Sequence, residues 1–329
     1  MPRRRLAALV LAAAIALGGC GADPADKAPN LAATLLLDFR PNAVHTGIYT
    51  AVSRGYDDAL GVQLSIRVPT DSTDAVKLLV SRRSQFAILD IHDLAIARAR
   101  GRDLVGVMAI VQTPLAAILA QPSIRRPRDL EGRRVGVTGV PSDDAVLRSI
   151  VAGDGGDPEK VRTTTIGFGA VQSLLTGAVA GATAFWNAEG VALRAKRPDI
   201  REFRVDDFGA PQYPELVLTV TRETLQDDPG LVRATVAAIA RGYEEVLADP
   251  ENGVGALVTQ ATGLKQAAVQ GELDAVMPSF TAGARGFGEL NLVRLRAWAS
   301  WEQRFGLVTQ LPDVRLAFDG RYVPAPGRD

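Results

Sequence analysis

The stretch Ala33-Thr34-Leu35-Leu36-Leu37-Asp38-Phe39-Arg40-Pro41-Asn42-Ala43-Val44-His45-Thr46-Gly47-Ile48-Tyr49 changes character twice. Ala33 to Asp38 is a short apolar run suited to a strand buried on both faces. Arg40-Pro41-Asn42 has turn chemistry, and from Thr46 to Arg54 the pattern is helical. The same alternation continues outward. Gln63 to Val68 reads as a second strand, and residues 71–81 as a helix that Asp71, Ser72 or Thr73 can cap. Gln85 to Leu89 is a third strand with a helix through Arg98 behind it, and Leu104 to Gln112 is a fourth strand. A βαβαβ order calls for a parallel sheet covered by helices.

A second α/β block follows. Its strands are expected at Arg134 to Thr138, Arg162 to Ile166 and Ala182 to Trp186, with helices from Ser142 to about Ala152 and from Ala170 to Leu175. Pro211 to Val220 then returns toward the first block, and the remainder is mainly helical. Leu292, Leu295, Trp298 and Phe305 share helical spacing and read as core. The expected architecture is α/β, with one domain from 31–114 and 215–329, a second from 115–214, and two crossover segments joining them. Ligands of open α/β sheets sit beyond the C-terminal ends of the strands. Two such edges facing one another make a cleft that can close by hinge motion.

The N-terminus is a separate unit. Arg3, Arg4 and Arg5 precede an apolar run from Leu6 to Leu17, shorter than the roughly 20 residues a spanning helix needs. This is the layout of a signal peptide, over residues 1–20. It ends in Leu17-Gly18-Gly19-Cys20, which resembles a bacterial lipobox, so Cys20 is the expected lipidation site. The triple arginine leaves a twin-arginine export route open. Residues 21–30 are small and polar and read as a flexible tether. The expectation is an exported monomer, held by its lipid at the outer face of the cytoplasmic membrane. The chain has equal numbers of acidic and basic residues, 37 of each, which offers no basic excess for nucleic acid. Its single cysteine and two histidines exclude a Cys/His zinc site. Gly167-Phe168-Gly169 begins like a dinucleotide fingerprint, but Gln172 stands where the third glycine belongs.

The segment Leu37 to Tyr49 resembles the opening motif of the thiamine-pyrimidine family of solute-binding proteins. Further similarity lies in Asp129-Leu130-Glu131-Gly132-Arg133-Arg134-Val135-Gly136, in Trp186-Asn187-Ala188-Glu189-Gly190, and in Tyr213-Pro214-Glu215-Leu216-Val217-Leu218. The resemblance implies a type II periplasmic-binding-protein fold. It also implies an ABC permease and its ATPase as partners, a small-molecule ligand, and no cofactor. The implied ligand is a thiamine-precursor aminopyrimidine or similar heteroaromatic, with a riboflavin-like compound, a sulfonate or nitrate as alternatives in the same class. The family also contains a pyridoxal-phosphate-dependent pyrimidine synthase. Against that enzyme, the strand Phe86-Ala87-Ile88-Leu89 lacks the synthase's cofactor lysine, and no cysteine follows Cys20, although His92 sits where the synthase has its donor histidine.

An aminopyrimidine offers a flat ring, an exocyclic amine donor and ring-nitrogen acceptors. Trp186 and one of the tyrosines, Tyr49 or Tyr213, are the expected stacking partners. Glu189 or Asp90 can accept from the amine, and Asn42 or His45 can pair with a ring nitrogen. His92, Ser142 and Asn187 complete the candidate set. Each also has a structural role open to it: His45 as a cap, His92 as a pin for its turn, Asp90 as the cap of its own helix, Trp186 as hinge packing. Asp143 and Asp144 fill the first turn of the helix from Ser142, and their charge disfavours an anionic ligand there.

Overall fold

The computed structural model describes residues 31–71 and 74–325. The residues read as signal peptide, lipidation site (Cys20) and tether, and the cap candidates Ser72 and Thr73, lie outside the described residues. Among the described residues ten strands form two five-stranded sheets. The first contains β1 (Leu31–Leu36), β2 (Val62–Arg67), β3 (Phe86–Asp90), β4 (Leu104–Ala109) and β10 (Leu216–Thr221), in the order β2-β1-β3-β10-β4. The second contains β5 (Ala116–Ala120), β6 (Arg134–Val137), β7 (Arg162–Thr165), β8 (Gly181–Phe185) and β9 (Arg201–Arg204), in the order β7-β6-β8-β5-β9. Segment 110–115 leaves the first sheet for the second, and segment 205–215 returns.

Burial follows position in the sheets. Every residue of β4 and β5 is buried, and β3 and β10 are buried except at their last residue. These strands are the near-continuous apolar runs of a sheet covered on both faces. The edge strand β2 alternates buried and exposed residues in its first half, and β7, Arg162-Thr163-Thr164-Thr165, has no buried residue. Polar edges discourage pairing with another chain.

The expected wholly parallel sheet is not what forms. β10 runs antiparallel to both β3 and β4, and β5 runs antiparallel to both β8 and β9. The cause is the crossings. The parallel strands of each sheet end at the gap between the sheets, so a chain arriving across that gap enters at their C-terminal edge and must run the other way. Two strands are also additional to those read from the sequence. Ala116–Ala120 is alanine-rich, with little intrinsic strand preference, and Arg201–Arg204 is charged with only Phe203 buried. Tertiary pairing decides both.

The helix Thr46–Ser53 packs on the long helix Pro229–Ala248 through two glycines. A Cβ on Gly47 would lie 2.3 Å from ring carbons of Tyr243, and a Cβ on Gly242 would lie 2.1 Å from the Gly47 carbonyl oxygen. The Tyr243 hydroxyl donates to the Val44 carbonyl at 2.6 Å, which locks this approach. Gly47 of the opening motif is therefore a packing residue. Of the residues spaced along Leu292–Arg304 and its end, Leu295 and Trp298 are fully buried, whereas Leu292 is exposed. Among the described residues no helix is long and apolar enough to cross a membrane.

Gly47→Ala is predicted to destabilise the protein by about 1–3 kcal/mol through overpacking, read as a lower urea midpoint at unchanged m-value. An unchanged midpoint would show that the two helices have slack the structure does not reveal.

Candidate ligand-binding cleft

The ends of the parallel strands face one another across a cavity. Asp38 and Phe39 follow β1, and Ile88, Leu89 and Asp90 close β3. From the second sheet come Thr138 and Val140 after β6, Phe168 after β7, and Thr183, Ala184 and Phe185 on β8. Ser142 and Asp143 open the helix behind β6, Asp93 lies in the helix behind β3, and Glu189 follows β8. The cavity measures about 110 Å³ as space open to the centres of water molecules, the scale of several waters or one small ring.

Contacts between the two halves bridge its mouth. Arg40 Nη2 donates to the Phe168 carbonyl at 2.8 Å, and the Phe39 and Phe168 rings meet edge to face at 4.4 Å. Inside, Ser142 Oγ lies 3.5 Å from Asp93 Oδ1, a further contact from one half to the other.

Five carboxyl groups line the cavity, Asp38, Asp90, Asp93, Asp143 and Glu189, with no lysine, arginine or histidine among the lining residues. Each is held by its own element. Asp38 Oδ1 meets His45 Nε2 at 2.9 Å, while His45 Nδ1 accepts the Asn42 backbone N–H at 3.2 Å. With Nδ1 accepting, the ring proton sits on Nε2 and is donated to Asp38. Asp90 caps the helix Ile91–Ala99 by accepting from the His92 N–H at 2.8 Å. Asp143 accepts from Thr138 Oγ1 and the Gly139 N–H through Oδ2, and from Thr183 Oγ1 at 2.6 Å through Oδ1. Glu189 stands on a π-helical turn, Trp186–Gly190, and accepts from the Phe185 N–H at 3.3 Å. Burial raises the Asp90 and Asp143 carboxyls and pushes Asp93 and Glu189 up to about 7.

Of the residues read from the sequence, Asp90, Ser142 and Glu189 stand on the cavity wall, and the others do not. Asn42 is an N-cap whose Oδ1 accepts the Val44 N–H at 2.9 Å. With His45 it forms a shell behind Asp38. Tyr49 borders a separate recess with Pro41, Leu64 and Gln260. Trp186 is covered by the Arg204 guanidinium at 3.9 Å, and its Nε1 donates to the Pro114 carbonyl at 3.0 Å, so it packs at a crossing. Asn187 is buried, and neither atom of its amide group has a partner. The aromatic surface comes instead from Phe39, Phe168 and Phe185. Phe39 was available to sequence reading as the residue next to a strand end. Phe168 was concealed in a loop with the glycines of a failed fingerprint.

His92 and Tyr213 belong to a buried cluster where the return crossing passes. His92 Nδ1 bonds the Glu302 carboxylate, and Nε2 lies 3.0 Å from the Tyr213 hydroxyl. Burial alone would lower the His92 pKa, but the Glu302, Asp90 and Glu215 carboxylates together push it up to about 10. Glu215 Oε2 accepts the backbone N–H groups of Leu115 at 2.5 Å and Ala116 at 3.2 Å, which tie the outgoing crossing to the returning one. Asp90, His92 and Glu215 each bring a donor atom within 4.8 Å of the others. Both His92 nitrogens are engaged, however, so the ring has no lone pair left for a metal.

Two mixed sheets, joined by two crossings and facing each other over a cavity, define a periplasmic-binding-protein fold. The alkanesulfonate-binding protein SsuA of Xanthomonas axonopodis pv. citri shares it, with a TM-score of 0.72 at 15% identity over 89% of this chain and 100% of that one. Residues 42–253 match the NMT1/THI5 like family, and the chain belongs to that family. A formylaminopyrimidine-binding protein of Halalkalibacterium halodurans is 33% identical over 230 residues, 68% of this chain and 69% of that protein. A 4-amino-5-hydroxymethyl-2-methylpyrimidine phosphate synthase of Legionella pneumophila is 23% identical over 253 residues, 75% of this chain and 79% of that protein.

Glu215→Ala strips the Leu115 and Ala116 amides of their acceptor and removes a carboxylate facing His92. It is predicted to cost about 3 kcal/mol or more in urea unfolding. A loss below about 1 kcal/mol would show that the two crossings do not depend on this side chain.

Proposed function

We propose that this chain is the extracytoplasmic solute-binding component of an ABC importer. Its ligand is a small amine-bearing heteroaromatic of the thiamine-precursor aminopyrimidine class. The observation that carries the reading is the chemistry of the cavity, which combines phenylalanine walls for a flat ring with carboxyl groups that accept from an amine. The match to a formylaminopyrimidine-binding protein supports it. The acidic wall disfavours the sulfonate and nitrate alternatives, because Asp143 occupies the helix terminus an anion would use. The size of the cavity favours one ring over a riboflavin-like compound.

Capture is by closure. The halves 31–114 with 215–329, and 115–214, pivot at the two crossings, and the Arg40 and Phe39 contacts to Phe168 form when the mouth shuts. The permease reads the closed form, and Cys20 carries the lipid that keeps the monomer at the outer face of the membrane. Binding without conversion is supported by the cavity wall, which offers no lysine to hold pyridoxal phosphate. It is supported too by His92, which is buried between Glu302 and Tyr213 instead of facing the ligand space.

The test is a thermal-shift panel of hydroxymethylpyrimidine, its formylamino relative, thiamine, riboflavin, taurine and nitrate. A cognate pyrimidine at about a hundred times its dissociation constant should stabilise by about 2.7 kcal/mol. A response to taurine or nitrate with none to any pyrimidine would overturn the assignment.

A further inference from the structure

The charge of the cavity wall goes further than its shape. Its carboxyl groups come from both halves, and the charged groups around them are few. Asp93 faces His92, Asp143 and Glu302. Asp90 faces His92, Glu215 and Asp93. Glu189 faces the Arg40 guanidinium and the Glu272 carboxyl. Asp38 has His45 behind it. His92 is a cation, but it lies behind Asp90 and not in the cavity. Arg40 is turned to the rim, where its guanidinium carbon sits 5.4 Å from the centre of the Phe39 ring and 5.9 Å from that of Phe168. The space inside therefore has an excess of buried carboxyl groups with no cationic side chain on the wall, bounded by aromatic rings whose faces attract cations.

We propose that the cavity holds its ligand as a cation, a heteroaromatic ring protonated on nitrogen, instead of as the neutral ring. This rests on the proposed function and states the form in which that ligand is bound. A ring N–H beside an exocyclic amine presents two parallel donors, which one carboxylate accepts with both oxygens. The charge then neutralises part of the wall that burial had made costly.

The proton balance depends on pH. A buried carboxyl whose folded pKa is raised holds its proton where an ordinary carboxyl has lost it, and releases it as pH rises through the raised value. Asp93 and Glu189 make this change near 7. Below that pH the wall brings its own proton: a carboxyl O–H bond breaks, a ring N–H bond forms, and nothing is exchanged with solvent. Above it, wall and free ring are both unprotonated, so forming the bound cation takes one proton from solvent.

Calorimetric titration of the full chain with hydroxymethylpyrimidine, at pH 8.5 in two buffers of different ionisation enthalpy, reads this directly. The expected result is uptake of about one proton per ligand bound, with affinity falling about tenfold per pH unit above pH 7. Zero proton uptake with a pH-independent dissociation constant would overturn the cation while leaving the pyrimidine reading intact. Absence of binding at every pH, including acid pH, would overturn the pyrimidine reading itself and the cation with it.

Discussion

One buried carboxylate sits where the two halves of this protein meet. Glu215 lies on the returning crossing, and its Oε2 accepts from two amides of the outgoing crossing. Both strands that follow these crossings, β5 and β10, depend on that junction for where they enter their sheets. A fully buried carboxylate is tolerated only when hydrogen-bonded or paired. Here the backbone amides and the nearby His92 cation, 3.8 Å from Oε1, share that task. The arrangement ties the outgoing crossing to the returning one where the halves meet.

The ligand space follows from this junction. Chains that cross at the gap enter against the direction of their neighbours, so each sheet keeps four strands running toward the gap and one antiparallel strand leaving it. Strand ends and helix starts then supply side chains at fixed positions, carboxyl groups and phenylalanines among them. The contacts across the mouth, Arg40 to Phe168 and Phe39 to Phe168, are exposed or part-buried, in contrast to the buried junction at Glu215.

Much of the α/β order was legible in the sequence because apolar runs and turn residues alternate cleanly from Ala33 to Gln112. The strands at Ala116–Ala120 and Arg201–Arg204 were not, since alanine and arginine carry no strand signal and pairing with β8 and β5 creates them. The site was less legible than the fold. Asp90 and Glu189, read from their position after strands, and Ser142, read from the start of its helix, stand on the cavity wall, and the strand-end logic also reaches Asp38 and Phe39. Polar and aromatic side chains drew attention to His45, Tyr49, His92, Trp186 and Tyr213 instead. In the folded chain His45, His92 and Tyr213 are held in buried hydrogen bonds, Trp186 packs at a crossing and Tyr49 borders a separate recess, and nothing in one-dimensional spacing separates a side chain in front of the cavity from one behind it. Asn42 and His45 show how close the two cases lie, because their hydrogen bonds hold Asp38 at the wall.

The decisive measurement is a crystal structure of the protein grown with hydroxymethylpyrimidine. The expected result is the ring inside the cavity, against Phe39, Phe168 or Phe185, with its exocyclic nitrogen on a carboxylate from Asp38, Asp90, Asp93, Asp143 or Glu189. A ring bound in the recess beside Tyr49, or a cavity that stays empty at saturating ligand, would contradict it.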